Sequence, residues 1–181
     1  MIKIVVDSIC DLPDSLYQEL NLTMIPLHVL LEEQEYRDKV DIHIDEIYRQ
    51  MRQGALPKTT QIPPVDIIRV LWEFAQQGDD FIFLTFSAVM SGTYNVAQTI
   101  AEEIKKNFPM VHMAVIDSKA GSLGIGLMAI QAVQMVNAGL PFSEIVNNIL
   151  FMTQHVEHIF SIADMEWLVR GGRVNKVVGK A

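Results

Sequence analysis

The sequence predicts an α/β fold, a largely parallel sheet flanked by helices, followed by the beginning of a second α/β domain. Three observations carry this. Apolar runs at Ile2 to Val6, Phe81 to Phe86 and Val111 to Ile116 have strand length and no polar alternation, as strands buried on both faces do. Segments of helical periodicity fall between them, as parallel strands joined by crossovers require. The pattern then changes near Val156, where a new unit starts and does not finish.

Taken in order, Ile2 to Val6 is β-branched, brief and stopped by Asp7, the marks of a buried strand. Asp11 is placed to cap a helix opening near Pro13, whose fixed φ suits a first turn. Thr23 to Leu31 reads as extended. Asp45 to Gln53 carries Ile47, Tyr48 and Met51 at helical spacing and stops at Gly54. Pro63-Pro64 opens a helix with Ile67, Ile68, Leu71, Trp72 and Ala75 on one face, closed by Gly78. After the second strand, Ser91 to Lys106 is helical, and Val111 to Ile116 is the third strand. Helices near Ser122–Ala138 and Phe142–Gln154 complete the first unit, with Ser143 as a candidate cap and Glu144 in the first turn of the latter. Beyond 156, a strand over 159–163, a short helix over 165–169, a turn at 171–172 and an extended run over 174–178 are expected.

Composition removes several function classes. Half of the 181 residues are hydrophobic and 20% are charged, which excludes an intrinsically disordered chain. A net charge of −8 argues against nucleic acid as a partner, because phosphate contacts need clustered Lys and Arg. One cysteine, Cys10, forms no internal disulfide framework and suits a reducing, cytoplasmic setting. The segment from Ala120 to Ser143 has no charged residue, but its glycines, Gln131, Gln134 and Asn137 mark a helix buried in protein; a lipid-facing amide costs several kcal/mol.

The densest chemical signal is the turn after the second apolar strand, which holds Ser87, Ser91, Gly92 and Thr93. Ligands of open parallel sheets bind beyond the carboxyl ends of the strands. There a helix N-terminus offers unpaired N–H groups, hydroxyls add donors, and Gly92 allows close approach. Such a site suits a carboxylate or a phosphate. Asp7-Ser8 and Asp117-Ser118 end two other strands, and Lys58-Thr59-Thr60-Gln61 precedes a helix. Each alone is ordinary turn and capping chemistry; four polar turns at one sheet edge form a candidate site.

Catalytic signatures fail by comparison. Cys10 lies beside Asp7 and Asp11, which raise a thiol pKa and suppress nucleophilicity. His155 and His158 lack the companions of a zinc site, and no metal or cofactor is expected. There is no Gly-Lys-Ser/Thr phosphate loop, Gly-x-Gly-x-x-Gly or Gly-x-Ser-x-Gly. Met90, Met128, Met135, Met152 and Met165 read first as core filling and second as an adaptable apolar pocket. Arg170, Arg173, Lys176 and Lys180 form a basic tail, either solvated or a charge partner for a ligand.

Seven of these pieces occur in the order found in the DegV family of bacterial lipid-binding proteins, which the chain resembles. They are Asp7-Ser8 through Pro13, Ile25-Pro26-Leu27, Lys58-Thr59-Thr60-Gln61, Ser91-Gly92-Thr93-Tyr94, Val115-Ile116-Asp117-Ser118, Gly124-Ile125-Gly126 and Gly171-Gly172-Arg173. The resemblance implies a two-domain protein that holds one long-chain fatty acid, its tail in an internal tunnel and its carboxylate near the interdomain cleft. It further implies a carrier with no catalysis of its own, which presents the carboxylate to a separate fatty acid kinase that makes an acyl phosphate for phospholipid synthesis. Thr59 and Ser91 stand where the family places a carboxylate-binding threonine and serine. With them, Thr60, Gly92, Ser87, Ser8 and Ser118 make up the expected ligand-binding set. A neutral hydroxyl pair with helix-end amides holds a carboxylate without a buried counter-charge.

The chain departs from the family at Thr60, where serine is usual, at Ile62, which interrupts Gln-Pro, and at Ala88, which replaces a hydroxyl. Family members also continue past residue 181 and supply there a histidine that contacts the carboxylate, a role no residue here inherits. On this reading residues 1–155 are the lipid-binding domain and 156–181 the incomplete start of the C-terminal domain. An edge strand left without partners near 159–163 is a pairing surface. The chain is therefore expected to form a homodimer there, to be poorly ordered after about 165, or to be part of a longer gene product. The rival reading from another class is a phosphotransferase or hydrolase using the Ser91-Gly92 turn on a small phosphorylated substrate, with Asp7 or Asp117 as its base.

Overall fold

The computed structural model describes residues 1–159 together with Ser161, Val169, Arg170 and Gly172. Strand β1 (Ile2–Asp7) leads through helix α1 (Asp14–Glu19) to β2 (Thr23–Ile25). A small unit follows, made of β3 (His28–Leu31), β4 (Gln34–Arg37), α2 (Ile44–Arg52) and β5 (Lys58–Thr60). The chain then runs α3 (Pro64–Gln76), β6 (Asp80–Thr85), α4 (Thr93–Asn107), β7 (Met113–Asp117), α5 (Leu123–Asn137) and α6 (Phe142–Met152).

The main sheet has the order β2-β1-β6-β7 with every pairing parallel. All four carboxyl ends therefore share one edge. Side-chain alternation divides the apolar strands between two cores. Val5, Phe81 and Phe83 pack with Ile67 and Leu71 of α3 and Ile104 of α4. Ile4, Val6, Ile82 and Leu84 pack against Ile125 and Met128 of α5 and Ile145 of α6. Both faces are covered, which is why these strands read as unbroken apolar runs. Among the described residues no helix is long and apolar enough to cross a membrane. The uncharged segment instead supplies α5, whose Ile125, Met128, Ala129 and Ala132 are buried.

A second sheet, β4-β3-β5, is antiparallel throughout and packs Val29 and Leu31 against Ile42 and Ile47. It corrects two sequence expectations. The extended stretch from Thr23 to Leu31 is two strands in different sheets, divided at Pro26, whose missing N–H breaks a ladder. Lys58 to Thr60, expected as a loop, is strand β5. Two expected caps also fail. Pro13 occupies the N-cap of α1 with no side-chain bond, while the Asp11 carboxylate accepts from Lys39 Nζ at 2.9 Å. Ser143 lies inside α6, whose N-cap is Pro141. The elements expected over 159–163, 165–169 and 174–178 fall wholly or partly outside the described residues.

Candidate functional site

The shared carboxyl edge of the main sheet is fastened by two aspartates. Asp7, fully buried at the end of β1, accepts the Ile9 N–H at 3.1 Å through Oδ1 and the Phe86 N–H at 2.5 Å through Oδ2. Burial pushes its carboxyl up to about 7, against the two amide donors, which pull it down. Asp117, closing β7, accepts from the Ala88 N–H at 2.9 Å and the Lys119 N–H at 3.0 Å. Thr85 Oγ1 donates to the Ile116 carbonyl at 3.2 Å, and Ser87 N donates to the Ala120 carbonyl at 3.1 Å. The turn between β6 and α4 is thus held from both neighbouring strands.

That turn delivers Ser91 and Gly92 to the start of α4. Gly92 is the N-cap residue and has no side-chain cap, and the first turn of α4 carries no acid, so its positive end is not neutralised within the helix. Ser91 Oγ accepts the Thr93 N–H at 3.3 Å and lies 3.1 Å from Thr93 Oγ1. Thr93 Oγ1 in turn accepts the Ile62 N–H at 3.3 Å. This buried link joins the turn to the segment after β5. Gly92 lets the Gln61 carboxamide oxygen come close, and a Cβ at this position would displace that side-chain end. On the other side β5 is registered on β3, with Thr59 opposite Val29 and Thr60 opposite His28.

Between these two segments lies a cavity of about 670 Å³, within the range of small-molecule sites. Thr59, Thr60, Gln61, Ser91 and Gly92 give it a hydroxyl- and amide-rich part, while Ile9, Leu27, Leu56, Phe86 and Met90 give it an apolar wall. Lys58 and Arg170 also line it; the ligand-binding set read from sequence had a neutral polar end, and Arg170 belonged to the basic tail read as either solvated or a charge partner for a ligand. Another cavity, of about 650 Å³ at the β3–β4 hairpin, is lined by Glu32 and Glu33, charges that repel an anion.

The structure brings together Thr59, Thr60, Ser91 and Gly92 of the expected set, and not the other three. Ser8 is buried and its Oγ accepts the Leu27 N–H at 3.1 Å, fixing the crossing from β2 to β3. Ser118 is buried and its hydroxyl closes a local turn on Ala120. Ser87 is half-buried in the turn, where its carbonyl accepts from Met90 and Ser91, and lies off the cavity wall. Gln61 and Lys58, which belong to a polar turn read from the sequence, and the apolar wall lie outside the expected ligand-binding set. The signal for Gln61 lay in its place directly after two hydroxyls; the wall residues come from four separate places, and of them only Met90 carried one, as a methionine read second as pocket lining.

The catalytic alternatives find little support. Of the candidate bases, Asp7 spends both carboxylate oxygens on backbone amides, and Asp117 accepts two amides on Oδ1 and lies off the cavity wall. The Cys10 thiol is pushed up to about 11, chiefly by burial, with the neighbouring Asp7 charge a smaller cause. His155 stacks on Phe151 at 3.9 Å and bonds its carbonyl at 2.7 Å. Among the described residues no group of side chains is arranged to hold a metal ion.

Comparison with known proteins agrees with this architecture. The family model described as "Uncharacterised protein, DegV family" matches residues 1–180. A stearic-acid-binding protein from Eubacterium ventriosum superposes with a TM-score of 0.89 at 30% identity, covering 100% of this chain and 64% of that one. A DegV family protein from Thermus thermophilus, described for its fatty acid binding, gives 0.84 at 34% identity over 95% of this chain and 60% of its own. A DegV domain-containing protein from Clostridium perfringens is 30% identical over 171 residues, 93% of this chain and 59% of that protein. The chain thus spans less than two thirds of the length of each of these relatives.

Proposed function

Because the chain belongs to the DegV family, we propose that it binds a long-chain fatty acid in the cavity between β5 and the start of α4. The observation that carries this is the cavity's division into a hydroxyl- and amide-rich part and an apolar wall. In this reading Thr59 and Ser91 take the carboxylate, Thr60, Gln61 and Gly92 complete the polar part, and Lys58 and Arg170 supply opposing charge. The tail lies along Ile9, Leu27, Phe86 and Met90. Burying a sixteen-carbon chain is worth roughly 10 kcal/mol before ordering costs, so affinity comes from the tail and orientation from the polar groups.

The protein is then a carrier without catalysis of its own, in the cytoplasm, presenting the carboxylate to a separate kinase for acyl phosphate formation. Residues 1–155 serve as the lipid-binding unit and 156–181 open a second one, through which a homodimer would pair.

The test is binding of palmitate to a Thr59→Val, Ser91→Ala double variant. Affinity is expected to fall about tenfold or more, one charge-assisted hydrogen bond being worth roughly 1.5–3 kcal/mol. Methyl palmitate, which lacks an anionic head, should lose far less. Equal losses for both ligands would remove these hydroxyls from carboxylate recognition.

A further inference from the structure

The aspartate at the end of β1 does more than close its own turn. Its two carboxylate oxygens hold two backbone amides from different loops, Ile9 after β1 and Phe86 after β6. Both of those residues are on the apolar wall of the cavity. Nothing else among the described hydrogen bonds ties these two wall segments to a single side chain. Asp7 is itself fully buried and reaches no ligand-lining position. We propose that Asp7 is a positioning residue for the ligand tail, a clasp that sets the spacing of Ile9 and Phe86 and loosens when it takes up a proton. The inference rests on the carrier reading of the same cavity.

The chemistry of the clasp follows from counting acceptors. An ionised carboxylate accepts on both oxygens, whereas the protonated acid turns one oxygen into a donor. Facing an amide N–H, that oxygen no longer accepts well, so one of the two wall segments is released. The groups around Asp7 set where this happens. From the loop after β1, the Asp11 charge pushes its titration up; from the loop between β4 and α2, the Lys39 ammonium pulls it down. Cys10 adds a thiol that stays neutral near pH 7, and β2 contributes the uncharged register partner Ile25. From β6 the facing group is the Phe86 amide, and the Asp117 carboxylate of β7 is turned to Ala88 and Lys119. With burial outweighing all of these, the carboxyl titrates near neutrality.

Two measurements on the same protein test this. Amide resonances of Ile9 and Phe86 are followed from about pH 5.5 to 8.5 without ligand. Binding of cis-parinaric acid and its displacement by hexadecanol are measured over the same range, the alcohol being a ligand with no titrating head. Both amides are expected to shift together with a midpoint near 7, and hexadecanol affinity to fall up to about tenfold toward acid, the loss of one bond to a charged acceptor. Asp7→Asn should abolish both effects. Two milder variants guard against a misfolded one: Lys39→Met should move the midpoint up and Asp11→Asn should move it down. Amides that do not titrate, or a midpoint indifferent to Lys39 and Asp11, overturn the proposal. So does a titration that leaves hexadecanol affinity unchanged. Absence of binding at every pH, with the amides still titrating together, instead removes the carrier reading and Asp7's part in binding with it, leaving the clasp alone.

Discussion

At the scale of single residues, the polar atoms at the strand ends divide between holding the chain and facing the cavity. Ser8 and Ser118 resemble Ser91 and Thr59 when read along the sequence, and Asp7 and Asp117 stand beside them at the same strand ends. All four of Ser8, Ser118, Asp7 and Asp117 bond backbone amides and lie off the cavity; Ser91 also accepts an amide, that of Thr93, but it and Thr59 line the cavity. Sequence shows which residue types gather at the edge and is silent on which of them are already engaged. Asp7 also has a thermodynamic signature. Its carboxyl is raised to about 7 in the fold from 3.8, so between these values the folded state holds a proton that the unfolded chain has lost. Stability from this group is therefore full below about pH 4 and is lost as pH rises to about 7, then level. Denaturant titrations should show wild-type stability falling between pH 5 and 8 relative to Asp7→Asn. A constant difference between the two proteins over that range would contradict the buried, neutral-pH titration. Ionisation at neutral pH costs stability, in keeping with a carboxylate kept for the cavity wall.

At the scale of elements, legibility followed apolar content. β1, β6 and β7 are apolar runs, and in β6 Phe81-Ile82-Phe83-Leu84 is fully buried; their neighbours α3 to α6 have clear apolar faces or uniformly apolar sequences. β4 and β5 were not legible. Gln34 to Arg37 and Lys58 to Thr60 are short, polar and largely exposed, and they are strands only because β3 lies between them. This non-local pairing also positions Thr59, so the strand that the sequence hides is one that builds the site. The caps at Asp11 and Ser143 failed because prolines already occupy those N-cap positions. Where the elements are most legible they are also most costly to disturb. Phe83→Ala, in the core between β6 and the α3–α4 pair, should lose about 3–5 kcal/mol in denaturant unfolding. A loss below about 1 kcal/mol would mean that this face of the sheet is not tightly packed.

At the scale of the whole molecule, a parallel sheet with both faces covered leaves its carboxyl edge as the place for a ligand. Here the small antiparallel sheet stands across from that edge and turns it into a cavity with a polar and an apolar part. On a molecule of net charge −8, Lys58 is a cation on the cavity wall and favours an anionic head there. On the proposed reading this chain, spanning about 60% of its relatives' length, carries a fatty acid. Mass spectrometry of the lipid extracted from the purified, unsupplemented protein tests it most directly. Long-chain fatty acid is expected near one mole per mole of protein; a folded protein that yields none, and takes up none when palmitate is added, is not a fatty acid carrier.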